Sequence, residues 1–424
     1  MNIAMFTNTY LPHVGGVANS VHSFVRSFED DGHNCLVVAP KFKGAEVSDD
    51  KVLRVQAIKE FNGTDFSVRL PEPLRIAERM QEFRPDILHS HHPFLLGDSA
   101  LRVSRRRGIP VVFTHHTLYE RYTHYLPVKL EGMERLAILL ATEYANLCDH
   151  VIAPSESIAR LLQERGVTTP ITALPTGIDP GQFAAGDRER GRSRFDVQGK
   201  GPVIGHVGRL AEEKNLRYLV AAVLRFLESN QQARFLLVGK GPMEKELRKT
   251  IGASAAAQRV RFAGALGGEE LADAYAAMDA FAFASTSETQ GMVLAEAMAA
   301  GTPVVALDAP GVREVVEDGY NGRLLARNAN EADFAKALAT VTGLEAKAPM
   351  RDHALQSSAR FSRRRCADQL LAVYQDLRKR DLNTRPLPGK RESDFETISR
   401  RIELEWDLLA KRLAAFFAAL SLGE

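Results

Sequence analysis

Two carboxylates, Glu288 and Glu296, bound the stretch Glu288-Thr-Gln-Gly-Met-Val-Leu-Ala-Glu296, and their setting suits work on a phosphorylated ligand. Phe281 to Ala284 reads as a buried strand, the residues after it as a tight polar turn, and the Ala/Met/Leu run beyond as a helix closed by Gly301. Between Thr289 and Val293, through Gln290, Gly291 and Met292, the first helical turn leaves backbone N–H groups without internal acceptors. Aligned peptide dipoles add partial positive charge there, so an anion such as a diphosphate fits. Glu288 in the turn is placed to face an electron-poor sugar carbon, and Glu296, about 80° further round the helix, to accept hydrogen bonds from hydroxyls. The spacing alone fits an ordinary strand–helix crossover with solvated acids equally well, so the decision rests on the rest of the chain.

Other groups of the same kind recur at strand ends. In Gly208-Arg209-Leu-Ala-Glu-Glu-Lys214-Asn215, two cations five residues apart straddle a turn into a helix. Fixed cations neutralise a diphosphate and the charge that grows on it as a glycosidic bond breaks, without a metal. Gly15 and Gly16 open a helix after the first strand and let a backbone approach a phosphate or sugar closely, unless they serve only to turn the chain. Six of the twelve histidines fall in His89-Ser-His91-His92 and in the segment from His115 and His116 to His124, both after strands. No acid stands at a ligand spacing such as His-Glu-x-x-His, so hydroxyl recognition is the better reading and no metal site is expected.

At 424 residues the chain is too long for one ordinary core and predicts two α/β domains. Its net charge of +2 excludes the global basic field of a nucleic-acid binder. Three scattered cysteines, Cys35, Cys148 and Cys366, suit a reducing compartment and carry no metal spacing. The N-terminus has no basic and apolar leader pattern, and no apolar run approaches spanning length. The expectation is a cytoplasmic protein, soluble or held peripherally on the inner face of the membrane.

Short apolar strands alternate with helical stretches: Ile3 to Phe6, Cys35 to Ala39, Val52 to Val55, Asp86 to His89, Val111 to Thr114, His150 to Ala153 and Ile171 to Ala173. This alternation predicts a parallel sheet covered on both faces, with ligands gathering beyond the carboxyl ends of its strands. The boundaries read as a first domain over 1–183, a charged, Gly-rich linker over 184–201, and a second domain over 202–361. A helix over 362–385 and an amphipathic tail over 386–424 complete the chain. In the tail, Phe395, Ile398, Ile402, Trp406, Leu409, Leu413, Phe416 and Leu420 recur at helical spacing. Glu403, Glu405 and Asp407 on that helix favour docking or homodimerisation over a bilayer. Two arginine clusters, Arg102 with Arg105 to Arg107, and Arg363 to Arg365, suit either helix-end electrostatics or an anionic surface.

The Glu-x7-Glu stretch followed by Gly-Thr-Pro-Val-Val, with Gly-Arg-x4-Lys-Asn and the Gly-Gly-Val loop in order, resembles the retaining glycosyltransferases of family 4 over roughly residues 1 to 380. The resemblance implies the GT-B fold: two Rossmann-like, doubly wound parallel-sheet domains facing a cleft, with the tail as a C-terminal helical extension. It implies a retaining, metal-independent hexosyl transfer in which a nucleotide diphosphate sugar is co-substrate and no cofactor is needed. Carried over, Arg209, Lys214 and the helix start at Gly291 hold the diphosphate, and Glu288 and His116, with His115 as the adjacent competitor, fix the sugar. Glu296 holds the ribose, and the turns at Gly239 and Leu266 hold the base through backbone groups. The leaving phosphate takes the acceptor's proton, and Glu288 as a covalent nucleophile is the alternative. Arg313 departs from the pattern, where a proline is common.

The strings His91-His92-Pro-Phe and Thr114-His-His116-Thr-Leu118-Tyr119-Glu-Arg-Tyr122-Thr-His124-Tyr125 look like the diacylglycerol glucosyltransferase subgroup. They imply an acceptor face of His13, His91, His92, Tyr119, Tyr122, His124 and Tyr125. Leu118 and the tyrosines fit the core face of a helix equally well. UDP-glucose to a diacylglycerol-type lipid is the leading substrate pair, and mannosyl transfer from GDP-mannose to an inositol lipid or soluble sugar is the alternative. A GT-B nucleotide-sugar epimerase and a non-catalytic sugar-nucleotide sensor are the rivals from other classes.

Overall fold

The computed structural model describes residues 1–12, 15–42, 47–58, 68–69, 73–118, 133–285 and 288–384. They divide into two compact units, Met1–Thr176 with the chain from Cys366 onward, and Gly177–Arg365.

In the first unit the strands are β1 (Asn2–Phe6), β2 (Asn34–Pro40), β3 (Val52–Val55), β6 (Ile87–Ser90), β7 (Val111–Thr114), β8 (His150–Ala153) and β9 (Ile171–Ala173). They form one sheet in the order β3-β2-β1-β6-β7-β8-β9, parallel throughout. β4 (Ala57–Ile58) and β5 (Val68–Arg69) pair separately and antiparallel. The helices are α1 (Gly16–Asp30), α2 (Pro73–Phe83), α3 (Leu96–Arg107), α4 (Met133–Asn146) and α5 (Glu156–Glu164). Every strand anticipated for this sheet forms; the central ones are short apolar runs buried on both faces, and the edge strand β9 is half-buried. One face packs Phe6, Leu36, Leu88 and Phe113 against α2 to α5, and the other packs Ile3, Met5, Val37 and Val112 against Phe24 and Phe28 of α1.

The second unit holds β10 (Val203–Val207), β11 (Arg234–Val238), β12 (Val260–Gly264), β13 (Ala280–Phe283), β14 (Val304–Leu307) and β15 (Gly322–Leu325). These are parallel in the order β12-β11-β10-β13-β14-β15. Helices α6 (Pro180–Ala184), α7 (Arg188–Arg194), α8 (Leu216–Ser229), α9 (Glu244–Gly252), α10 (Gly268–Ala277), α11 (Met292–Ala299), α12 (Glu331–Thr342) and α13 (Leu344–Ser358) cover both faces. The strand order in both sheets reverses beside the first strand of the unit, the doubly wound pattern in which ligands lie beyond the strand carboxyl ends.

Two boundaries differ from expectation. The division falls after Thr176, and residues 184–201 are built into the second unit instead of forming a linker. Asp187 caps α7 by accepting from the Arg190 N–H at 2.7 Å, and Arg190 pairs with Asp273 of α10 at 2.6 Å. Arg188 and Arg192 both clasp the buried Asp279 at 2.5 Å. Gly191 permits this approach, since a Cβ there would lie 2.2 Å from the Asp273 carbonyl oxygen. The composition resembled a linker because its charges find their partners some eighty residues away in the chain.

The last described helix, α14 (Arg363–Thr384), starts within the second unit and belongs to the first from Cys366. Cys366, Leu370, Tyr374 and Leu377, at helical spacing, join the core formed by Ile3, Phe24, Phe28 and Val37. The amphipathic tail over 386–424 lies outside the described residues.

Candidate active site

In the second unit the chemistry gathers where β13 hands over to α11. Gly291 caps α11 in the left-handed region at φ 72°, and Glu288 turns back so that its Oε1 accepts from the Gly291 N–H at 3.3 Å. Gly291 is needed twice over here, since its backbone favours no side chain and a Cβ would lie 2.7 Å from the Gly311 carbonyl oxygen. The other Glu288 oxygen, Oε2, accepts from Lys214 Nζ at 3.0 Å. Lys214 ends a 3-10 turn, Glu212–Lys214, and the next residue, Asn215, donates to the Ala284 carbonyl at 3.4 Å. Thus the turn after β10 and the turn after β13 are pinned side by side.

Burial pushes the Glu288 carboxyl up, but the Lys214 charge and hydrogen bond, with the Gly291 and Gln290 N–H groups, hold it below its ordinary value. It is a fixed anion at a helix start that attracts anions, and Lys214 is the cation that makes this arrangement stable. Arg209 is exposed and has no ion-pair partner among the described residues. Thr289, Gln290, Met292 and Val293 are half-buried around the same helix start.

Glu296 lies on α11, about one turn into it, and accepts from the Tyr275 hydroxyl at 2.7 Å. Desolvation raises its carboxyl to about 7, reinforced by the Glu288 charge and opposed by the Tyr275 bond. Tyr275, wholly buried on α10, was not anticipated; in an Ala-rich run it reads simply as helix core. The loops after β11 and β12 join the same edge: the Gly239 N–H donates to the Gly264 carbonyl at 2.7 Å, and Leu266 is half-buried beyond it. Gly239, at φ 137°, is required because a Cβ would lie 1.8 Å from the Gly208 carbonyl oxygen.

The first unit carries a separate cluster. His89, His91 and His116 stack, with ring centroids 4.2 Å and 5.2 Å apart in succession. His91 Nδ1 lies 2.9 Å from His116 Nε2, while His89 bonds Thr114 Oγ1 at 2.6 Å and the hydroxyl of Tyr374 from α14. Burial is the main force pushing all three imidazoles down, His89 to about 3 and the other two well below the usual value. They are therefore neutral rings. His115, the alternative to His116, turns its ring edge-on to Phe113 instead. His92 is buried and accepts at Nδ1 from the Asn8 N–H at 3.1 Å, a bond that braces the turn into α3. Leu118 joins the hydrophobic core. Gly15 caps α1 in extended geometry, and a side chain at Gly16 would meet open space. His13, Tyr119, Tyr122, His124 and Tyr125 lie outside the described residues. Among the described residues no group of three His, Cys, Asp or Glu is placed to hold a metal ion, and no helix is long and apolar enough to cross a membrane.

Two doubly wound parallel-sheet units, one carrying an acid–lysine pair at a helix start, define a GT-B glycosyltransferase. Residues 14–182 match the family described as Glycosyltransferase Family 4, and residues 201–343 match Glycosyl transferases group 1. Among relatives, the alpha-monoglucosyldiacylglycerol synthase of Streptococcus pneumoniae is 28% identical over 414 residues, covering 95% of this chain and 90% of that protein. A GDP-mannose-dependent alpha-mannosyltransferase of Mycobacterium tuberculosis is 31% identical, over 77% of this chain and 84% of that protein. The solved structure of Anabaena HepE in complex with UDP shares the fold, with a TM-score of 0.70 at 20% identity over 89% of this chain and all of that one. The chain belongs to glycosyltransferase family 4, and it is a hexosyltransferase.

Proposed function

We propose that the enzyme transfers a hexose, with retention of configuration and without a metal, from a nucleotide diphosphate sugar to a hydroxyl acceptor. The observation that carries this reading is the Lys214–Glu288 pair at the start of α11, 3.0 Å apart and only 22% and 16% exposed. Lys214, Arg209 and the N–H groups of the first turn of α11 take the diphosphate and stabilise its growing charge as the glycosidic bond breaks. Glu288 and His116 fix the sugar, Glu296 takes ribose hydroxyls, and the glycine turns at Gly239 and Gly264 offer backbone groups to the base. The departing phosphate oxygen takes the acceptor's proton, so no side-chain general base is assigned.

UDP-glucose and a diacylglycerol-type lipid are the leading substrates. The streptococcal synthase aligns along nearly the whole of both chains, including part of the tail, and it names a diacylglycerol product. The mannosyltransferase relatives, at 30% and 31% identity, favour GDP-mannose as the second reading. Thermal shift with UDP and GDP names the donor class, because a nucleotide that binds the native state alone raises its melting temperature. Transfer from UDP-glucose and GDP-mannose, with and without diacylglycerol vesicles, then names the pair. A UDP shift with vesicle-dependent turnover supports the lead, and a GDP shift with turnover that ignores vesicles supports the second.

A further inference from the structure

The turn between β6 and α3 holds a leucine in a backbone geometry that its side chain disfavours. Leu95, just ahead of the helix, has φ 60° and ψ −100°. That is the mirror image of an ordinary extended conformation, which glycine adopts freely and a leucine does not. The turn is also tight, since a Cβ on Gly97 would lie 2.0 Å from the His92 carbonyl oxygen.

Asn8, buried beyond the end of β1, grips Leu95 from both sides. Its Nδ2 donates to the Phe94 carbonyl at 3.1 Å, and its Oδ1 accepts from the Leu96 N–H at 3.2 Å. Its backbone N–H donates to His92 Nδ1 at 3.1 Å, so one residue makes three bonds to the loop after β6. The side-chain amide supplies both the donor and the acceptor that this pattern needs, which an ionised aspartate or a leucine of similar size cannot. A strained backbone persists where its surroundings over-determine it, and such residues gather at binding sites.

The place of this grip bears on function. β1 and β6 are neighbours in the sheet order β3-β2-β1-β6-β7-β8-β9, where the strand order reverses. Ligands of doubly wound sheets lie beyond the strand carboxyl ends at that reversal. Asn8 follows one of these two strands and Leu95 the other, and Leu95 is half-buried.

We propose that Asn8 is a positioning residue that holds the strained Phe94–Leu96 turn in place, so that the aliphatic side chain of Leu95 meets the apolar part of the acceptor. This rests on the reading that the first unit takes a diacylglycerol-type acceptor. Relaxing the turn gives up acceptor binding and leaves the donor's site in the second unit as it was.

The test pairs thermal unfolding with transfer to diacylglycerol vesicles, using the full-length enzyme and UDP-glucose or GDP-mannose as donor. Leu95→Gly relieves the strain and should melt no lower than wild type, yet raise the acceptor KM roughly tenfold while the donor KM stays within about twofold. Asn8→Ala should melt lower and raise the acceptor KM by a similar factor. Asn8→Asp, which keeps the bond from the Leu96 N–H, should fall between Asn8→Ala and wild type. Adding Asn8→Ala to Leu95→Gly should raise the acceptor KM little further, because both changes remove the same contact. Active variants with the wild-type acceptor KM overturn the proposal, as does a Leu95→Gly protein that melts well below wild type. A wild-type enzyme that transfers from neither donor to the vesicles overturns the acceptor reading beneath it, whatever the unfolding shows.

Discussion

Glu296→Gln should stabilise the free enzyme at alkaline pH while weakening its hold on the donor. The carboxyl is pushed up to about 7 from an ordinary 4.5, mainly by desolvation, so the folded state retains a proton that the unfolded chain releases. Where the native state binds more protons, stability falls as pH rises. The contribution is fully present below 4.5 and is lost progressively until about 7. The whole displacement corresponds to roughly 3 kcal/mol, and the partial exposure of Glu296 trims this to about 1–3 kcal/mol. Glutamine keeps an oxygen to accept from Tyr275, 2.7 Å away, and never charges. Thermal unfolding of both proteins should therefore agree within about a degree at pH 5, and the variant should melt roughly 3–8 °C higher at pH 8. The variant should also bind nucleoside diphosphate more weakly, because a neutral amide is a poorer acceptor for ribose hydroxyls. A melting difference that does not change between pH 5 and pH 8 would refute the reasoning.

Three further outcomes follow from the same geometry. Lys214→Ala removes the cation 3.0 Å from Glu288 and should lower kcat by about 10²–10³-fold in a transfer assay, whereas an unchanged kcat would deny it a role in charge stabilisation. Tyr275→Phe frees one oxygen of Glu296 and should raise the donor KM roughly tenfold with little change in kcat, an effect that should vanish for a donor lacking ribose hydroxyls. Asp279→Ala leaves Arg188 and Arg192 without their buried acid and should cost about 3–5 kcal/mol in urea unfolding; a cost under about 1 kcal/mol would show that α7 is not strapped down through it.

Local signals in the sequence were enough to place most of the strands and the Glu288 to Glu296 stretch. Strands such as Val111–Thr114 and Val304–Leu307 are buried on both faces, so they appear as plain apolar runs between glycines and helix caps. The five-residue spacing of Arg209 and Lys214 likewise reports a local turn. What sequence reading missed depends on distant partners. Asp273 and Asp279 turn a charged, glycine-rich stretch into a packed helix, and nothing near Arg188 announces them. Tyr275 and Tyr374 look like core aromatics, which they are, and only their hydroxyl partners, Glu296 and His89, show a second duty. The histidine-rich loops were legible as a cluster. The division of labour within it was not, because which ring stacks beneath which is set by the register of β6 against β7.

The most direct test of the central claim is the anomeric configuration of the product, followed by proton NMR in the presence of a chelator, from UDP-glucose or GDP-mannose with diacylglycerol vesicles or a soluble sugar. The account predicts an α-linked product from the α-linked donor, formed at full rate with metal removed and nearly abolished by Glu288→Gln. A β-linked product, a rate restored only by added metal, or nucleotide release unchanged in Glu288→Gln would contradict it.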